Sequence, residues 1–195
     1  NIHHVVTLFQ EQYDDEMNSL AILDMSMIIV AIIVTGMGLM LTRAILRHAY
    51  FANFDHLTGL LTRYNLYENI KSRDTVDYDV YFIDLNKFKF INDTFGHSVG
   101  DEILIAVSKR LVSLFGPDNV YRYGGDEFII LMNDEKKSID RLSLELKNKI
   151  ALPIIDMKSR EHFIGLSLGV VKRGVGPKKW DQLIQLADEL MYDAK

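Results

Sequence analysis

Between Met25 and Thr42 the sequence MSMIIVAIIVTGMGLMLT runs for 18 residues without a charge, and from Asp55 onward apolar residues return in short runs and helical spacings. At the helical rise the uncharged stretch spans roughly 27 Å, close to the thickness of a bilayer core, and Asp24 and Arg43 close its ends. The pattern predicts one membrane-spanning helix over residues 25–42. A helix buried in a globular core gives the same pattern, and so does a signal peptide, although a signal peptide wants a basic leader and residues 1–42 hold no Lys or Arg. Glu11, Asp14, Asp15, Glu16 and Asp24 precede the span, whereas Arg43 and Arg47 follow it. Basic residues stay on the cytoplasmic side. The expectation is a single-pass protein of the inner (cytoplasmic) membrane, with residues 1–24 outside and the rest of the chain in the cytoplasm. Residues 43–54, RAILRHAYFANF, continue as a helical linker, either a connector that transmits a signal or a plain spacer.

Residues 55–195 read as one domain without internal repeats. LYENIKSR is a short helical pattern, and DVYFIDL, residues 79–85, is a buried strand that ends on an acid. DEILIAVSKRLVSLFG places Ile103, Leu104, Val107, Leu111 and Leu114 at helical spacing and stops at Gly116. NVYRY and EFIILM form a hairpin joined at Gly124 and Gly125. A helix from Ser138 to Ile150, a strand FIGLSLGVV and a helix WDQLIQLADELMYDAK complete the order. This succession predicts an α/β fold of the α+β kind, a mostly antiparallel sheet flanked by helices.

Composition narrows the function. With 195 residues, 48% of them hydrophobic, the chain can build one globular core plus an appendage. A net charge of −5 argues against a broad surface for a nucleic-acid polymer while leaving room for a local basic pocket. There is no Cys, so disulfides and thiolate metal sites are excluded.

The candidate chemistry gathers at the hairpin. Glycines at a tip permit positive backbone angles and let a bulky ligand lie against the backbone. An acidic turn after them could be no more than a solvated loop. Asp84 weighs against that, because a carboxylate at the end of an apolar strand is costly to bury unless it holds a cation. With its strand beside the hairpin, Asp84 and Asp126 converge, and two or three oxygens suit Mg²⁺, which takes its remaining ligands from phosphates and water. Lys87 and Lys89 follow closely, and a lysine there can neutralise phosphate charge, although Lys87 reads as an ordinary surface residue. Asn92 and Asp101 match the edge of a guanine in donor and acceptor pattern. A helix cap at Asn92 and a favourable dipole at Asp101 account for them more simply on the residues alone.

The strings DHLTGLLTR, FIDLNKFKFINDTFGHSVGDEIL, RYGGDEF, GLSLGVV and LADELMYDAK stand in the order and spacing of the GGDEF family of diguanylate cyclases, which the chain resembles over residues 55–195. The resemblance implies a palm-like nucleotide-cyclase fold that binds GTP with Mg²⁺, or Mn²⁺ as the alternative ion, and works as a homodimer. Each GTP 3′-hydroxyl attacks the α-phosphate of the other, two pyrophosphates leave, and cyclic di-GMP results. By the same resemblance Asp84 and the carbonyl of Leu85 would ligate the metal. Asp126 would be a ligand and the acceptor of the hydroxyl proton, and Glu127 would support the metal site. Gly124 and Gly125 would let the triphosphate pass, Lys89 would stabilise charge during transfer, and Lys195 would bind phosphate. Asn92 and Asp101 would read guanine, with His97 nearby on the nucleotide.

Departures from the family pattern are few. His56 and Thr62 stand where Pro and Asn are frequent. An inhibitory product site would need Arg at position 115, where Phe115 stands, so Asp118 lacks its partner and feedback through that site is not expected. The sequence opens on Asn1 rather than Met, which leaves room for an N-terminal sensor before it, and it stops at Lys195, where relatives continue to another phosphate-binding Arg whose absence would lower GTP affinity. An active cyclase is the favoured class because each signature position is intact. The alternative is a non-catalytic GTP-binding or dimerisation module, and an adenine-containing product is disfavoured because it would leave Asp101 unpaired.

Overall fold

A computed structural model describes residues 2–71, 73–134 and 138–195. Asn1 and Ser72, which the predicted segments include, lie outside the described residues. The chain divides into two compact units, residues 1–49 and 50–195. The first is carried by the helix α1 (Ile2–Asn53), whose window of highest hydropathy averages 2.4 and has no residue buried within the chain. Its apolar side chains, from Met25 and Ile28 to Leu41, are all exposed. A helix this apolar on every side is not a core helix of this chain, and by length and composition it is able to cross a membrane.

The second unit is a five-stranded sheet with helices on both faces. In chain order it comprises β1 (Leu61–Thr62), α2 (Arg63–Ile70), β2 (Asp79–Asn86), α3 (Phe88–Phe95), α4 (His97–Phe115), β3 (Val120–Arg122), β4 (Glu127–Met132) and α5 (Ile139–Ile150). A two-stranded ribbon, β5 (Ile154–Ile155) with β6 (Glu161–His162), precedes β7 (Gly165–Val171) and α6 (Trp180–Asp193). The sheet order is β1-β3-β4-β2-β7, antiparallel throughout except for the β1–β3 pair. β2 sits between two partners and is covered on both faces, which is why its sequence is a continuous apolar run. Val80 and Phe82 pack with Leu183, Ile184 and Met191 of α6, while Tyr81, Ile83 and Leu85 pack with Ile103, Val107 and Leu111 of α4. The packing of α6 on the sheet depends on Gly169, where a Cβ would stand 1.9 Å from the carbonyl oxygen of Ala187.

Two predicted boundaries are corrected. The helix expected from Asp101 begins at His97, and a separate helix, α3, precedes it. Gly96, at φ 89°, makes the break, and its N–H donates to the Asn92 carbonyl to close α3. Asn92 therefore lies inside α3 and is not an N-cap, and Asp101 lies beyond the first turn of α4, so neither residue marks a helix start. β1 and the β5–β6 ribbon, each strand only two residues long, were not predicted, because such runs carry no periodicity.

Candidate active site

The end of β2 and the β3–β4 turn meet by backbone pairing. Asp84 faces Glu127 across one edge of β2 and Ser167 across the other. Past the last pair, the Leu85 N–H donates to the Asp126 carbonyl at 3.3 Å, which ties the turn to the strand. Tyr123 and Gly124 both donate N–H to the Glu127 carbonyl, at 2.9 and 3.3 Å, and close the hairpin. Neither Gly124 nor Gly125 has positive φ, so the expected conformational reason for glycine does not apply there. A Cβ on Gly125 would meet nothing within 4 Å, and one on Gly124 would fall 2.7 Å from the movable end of Glu127, Oε2, so crowding within the chain does not demand glycine there and a clear surface at the turn is what the two residues provide.

Asp84 is buried, with its Oδ1 2.9 Å from the Nζ of Lys195, which arrives at the end of α6. The ammonium is the partner this buried oxygen has within the domain, an ion pair with a half-exposed lysine. Burial and the neighbouring Asp84 charge push the Asp126 carboxyl above the ordinary range, against the opposing pull of Lys195 and Arg122. Glu127 is raised as well, by burial and by Asp188, Asp84 and Asp126. The Asp84 carboxylate in turn holds the Lys195 ammonium above the usual lysine range. Two raised carboxyls beside the buried Asp84 carboxylate, with a single lysine to balance them, form a site that a divalent cation fits. Among the described residues no three acidic or His side chains lie close enough to enclose an ion. Glu127, turned back over Gly124, does not join Asp84 and Asp126 in one set. The arrangement suits Mg²⁺ held by few protein ligands, with phosphate and water completing the shell.

A second polar group lies on α3 and α4. The Asn92 side chain is packed against Gly100, where a Cβ would stand 1.9 Å from its Oδ1, so the absence of a side chain at Gly100 sets where Asn92 points. His97 and Asp101 are exposed on the first turns of α4, and Lys89 is exposed on α3. Lys87, at φ 61°, starts α3 in a left-handed conformation. Phe115, where an inhibitory Arg would stand, is buried with its ring 5.4 Å from that of Tyr81.

Sequence reasoning missed Arg122 and Asp55. Arg122 donates from NH1 to Asp55 Oδ1 at 2.8 Å and from Nε and NH2 to the Gly125 carbonyl at 3.2 and 2.8 Å. Asp55 also accepts from the Thr58 N–H and hydroxyl. Burial works against its ionisation, yet the Thr58 and Arg122 hydrogen bonds together hold its carboxyl below the usual range. The pair locks the turn to the segment that follows α1. An acid opening one motif and an arginine opening the other, Asp55 in DHLTGLLTR and Arg122 in RYGGDEF, was the available signal.

Comparison with known proteins agrees with this geometry. The sequence profile described as "Diguanylate cyclase, GGDEF domain" matches residues 52–195. The chain is 36% identical over 150 residues to the diguanylate cyclase DosC of Shigella sonnei, covering 72% of this chain and 32% of that protein. It is 38% identical over 159 residues to the signaling protein YkoW of Bacillus subtilis, covering 76% and 18%. The chain thus spans about a third or less of the length of these relatives. Among solved structures, the GGDEF domain of TpbB (YfiN) from Pseudomonas aeruginosa superposes with a TM-score of 0.66 at 29% identity, covering 73% of this chain and 88% of that one. A sensory box/GGDEF family protein from Caulobacter crescentus gives 0.61 at 31% identity, covering 73% and 97%. With its palm-like α/β fold and its strand-end and hairpin acids in register, this chain belongs to the GGDEF-domain diguanylate cyclase family.

Proposed function

We propose that the domain is a nucleotidyltransferase that condenses two GTP into cyclic di-GMP and two pyrophosphates across a two-fold homodimer. The observation that carries this reading is the buried Asp84 carboxylate, ion-paired to Lys195 and set beside Asp126 at a glycine turn. Asp84, the Leu85 carbonyl and Asp126 would hold Mg²⁺, and Glu127 would support the site once turned away from Gly124. The bound ion would supply charge neutralisation for the triphosphate. Lys195 and Lys89 add positive charge to the phosphates, and Gly124 and Gly125 leave room for the chain of phosphates. Asp126, at the mouth of the same site, would be the group that takes the 3′-hydroxyl proton. Asn92 and Asp101 read the guanine edge, and His97 lies beside the nucleotide. The apolar helix α1 anchors the chain in the cytoplasmic membrane, with Arg43 and Arg47 on the inner side and the catalytic unit in the cytoplasm, where anchoring raises the encounter rate of two copies.

The test is to incubate the chain with GTP and Mg²⁺ beside an Asp126→Ala control and to separate the nucleotides by chromatography. Cyclic di-GMP is expected from the parent alone. A parent that binds GTP without making product supports the binding-module alternative instead. Guanine selectivity gives a second expectation. Asp101→Ser removes the carboxylate that pairs with guanine N–H donors and should lower discrimination against ATP by about 10- to 100-fold, read as the ratio of kcat/KM values. Undiminished preference for GTP would remove Asp101 from base recognition.

A further inference from the structure

The β5–β6 ribbon has no part in the chemistry assigned to the glycine turn, yet its tip holds a buried carboxylate, Asp156, beside a buried histidine, His162. The local sequence builds this tip. The Asp156 N–H donates to the Arg160 carbonyl and the Ser159 N–H to the Asp156 carbonyl, with Ser159 at φ 60° to reverse the chain. Alternation along the strands then sends Ile154, Asp156 and His162 inward and Ile155, Met157 and Glu161 outward. A charge carried inward in this way needs partners. The ribbon supplies them. Asp156 Oδ1 accepts from the Lys158 and Arg160 N–H groups, both at 2.9 Å, and Oδ2 accepts from Arg160 Nε at 2.7 Å and from His162 Nε2 at 2.9 Å.

One carboxylate oxygen thus holds an arginine and a histidine, and both close on a single ring. The His162 imidazole meets Phe95 edge to face, with centroids 4.9 Å apart at 78°, and the Arg160 guanidinium lies 5.2 Å from the centre of the same ring. Phe95 is the last residue of α3, next to the Gly96 break. A second tie reaches the other side of that break, where Glu102 Oε2 of α4 accepts from the Met157 N–H at 2.9 Å. Farther along α4, Arg110 donates to the carbonyls of Ile150, Leu152 and Pro153 and fastens the base of the ribbon. The ribbon is therefore held at both ends, and its tip grips the end of α3 and the start of α4 together.

These two helices carry the residues assigned to guanine. Asn92 stands about one turn before Phe95 on α3, and Asp101 is the neighbour of Glu102 on α4. The helices meet at Gly96, at φ 89°, and a glycine leaves the angle between them to contacts from outside. The Asn92 amide packed on Gly100 is one such contact, and the ribbon tip is a second. We infer that Asp156, His162 and Arg160 are positioning residues for base recognition: acting through Phe95, they hold the α3–α4 corner at the angle that lets Asn92 and Asp101 meet one guanine edge. The inference rests on the cyclase reading and on the guanine roles proposed with it. Hydrogen bonds weaken steeply with misalignment, so a small opening of the corner lowers selectivity before it lowers phosphoryl transfer. The metal site is carried by β2, the β3–β4 turn and the end of α6, and it keeps its geometry when the corner opens.

The experiment compares initial rates with GTP and with ATP, whose base offers the corner none of guanine's N–H donors, for the full chain in a membrane mimetic with Mg²⁺. Asp156→Asn keeps the shape of the side chain but removes the charge that Arg160 and His162 share, so the clamp on Phe95 opens. It is expected to raise KM for GTP about 10-fold, to keep kcat within about threefold, and to lower the GTP-over-ATP ratio of kcat/KM about 10-fold. Phe95→Leu should produce the same shift from the other side of the contact, and the double variant should be no worse than the more affected single one. Phe95→Tyr, which keeps the ring, should retain the parental ratio. A purely structural role lowers the rates with both nucleotides by one factor, through the folded fraction, and leaves KM and the ratio alone. That result overturns the inference. So does a parental ratio in Phe95→Leu, the variant that carries the test if Asp156→Asn does not fold. In either case an active parent leaves the cyclase reading standing, whereas a parent that makes no product from GTP overturns both.

Discussion

Replacing Asp84 with Asn is expected to lower cyclic di-GMP formation on the order of 10³-fold while the domain keeps its fold. The amide has the shape of the carboxylate it replaces and faces the same strand neighbours, Glu127 and Ser167. What it lacks is charge. It is a weak ligand for Mg²⁺, and it gives Lys195 no counter-ion. Stability responds differently. The Asp84–Lys195 pair involves a half-exposed lysine and contributes little in water, whereas the substitution removes a charge that repels Asp126 and Glu127. The net change should stay within about 1 kcal/mol.

The sign of the pH dependence follows from the same residues. Asp126 and Glu127 have raised folded pKa values, so their contribution to stability is present at low pH and is lost as pH rises through those values. Without divalent ion, the parent should lose part of this stability above the ordinary carboxylate range, and Asp84→Asn should lose less. Asp55 acts in the opposite sense and lower on the scale, since its depressed carboxyl costs stability as pH falls through its folded value. Thermal melts from about pH 4 to pH 8 with and without Mg²⁺ separate the two. A variant that keeps the parental rate, or a parent whose melting ignores pH above the carboxylate range, would remove Asp84 from the centre of the site.

The parts of this fold that were legible in the sequence are those where burial writes a long pattern. DVYFIDL reads as an inner strand because both of its faces are covered, and the acid at its end stands out for that reason alone. The hairpin was legible because two strand-like runs flank two glycines. The α3–α4 break was not, because Ile91, Val99 and Ile103 keep a helical rhythm across Gly96, and only the positive φ at that glycine separates the helices. β1 was hidden for another reason: two residues carry no period, and its place depends on a distant partner, Tyr121 and Arg122 of β3. The Asp55–Arg122 pair and the Arg63–Tyr123 stack share that difficulty. Each joins residues that are about 60 or more positions apart, so their identities are visible in the sequence while their meeting is a product of the sheet order.

Gly169→Ala is expected to cost far more stability than Asp84→Asn, although it adds a single methyl group. β7 lies at the edge of the sheet and α6 packs directly across it, through Leu183, Ile184, Ala187 and Met191. The Cβ would fall 1.9 Å from the Ala187 carbonyl oxygen and 2.5 Å from the Met191 nitrogen. These are backbone atoms in the middle of a helix, and no rotamer change can clear them, so α6 as a whole must move outward. Overpacking of this kind costs about 3 kcal/mol or more, and for a domain of this size that corresponds to a drop in Tm of roughly 6–12 °C. The chemistry should fail along with the packing. Lys195 reaches Asp84 only because α6 is seated on Gly169's strand, and an outward shift of the helix withdraws the ammonium from a contact of 2.9 Å. Calorimetry or a melting curve, with the rate measured well below the lowered Tm, keeps the two effects apart. Parental melting would mean that α6 yields without cost. A destabilised but fully active variant would mean that Lys195 is not needed where this structure holds it.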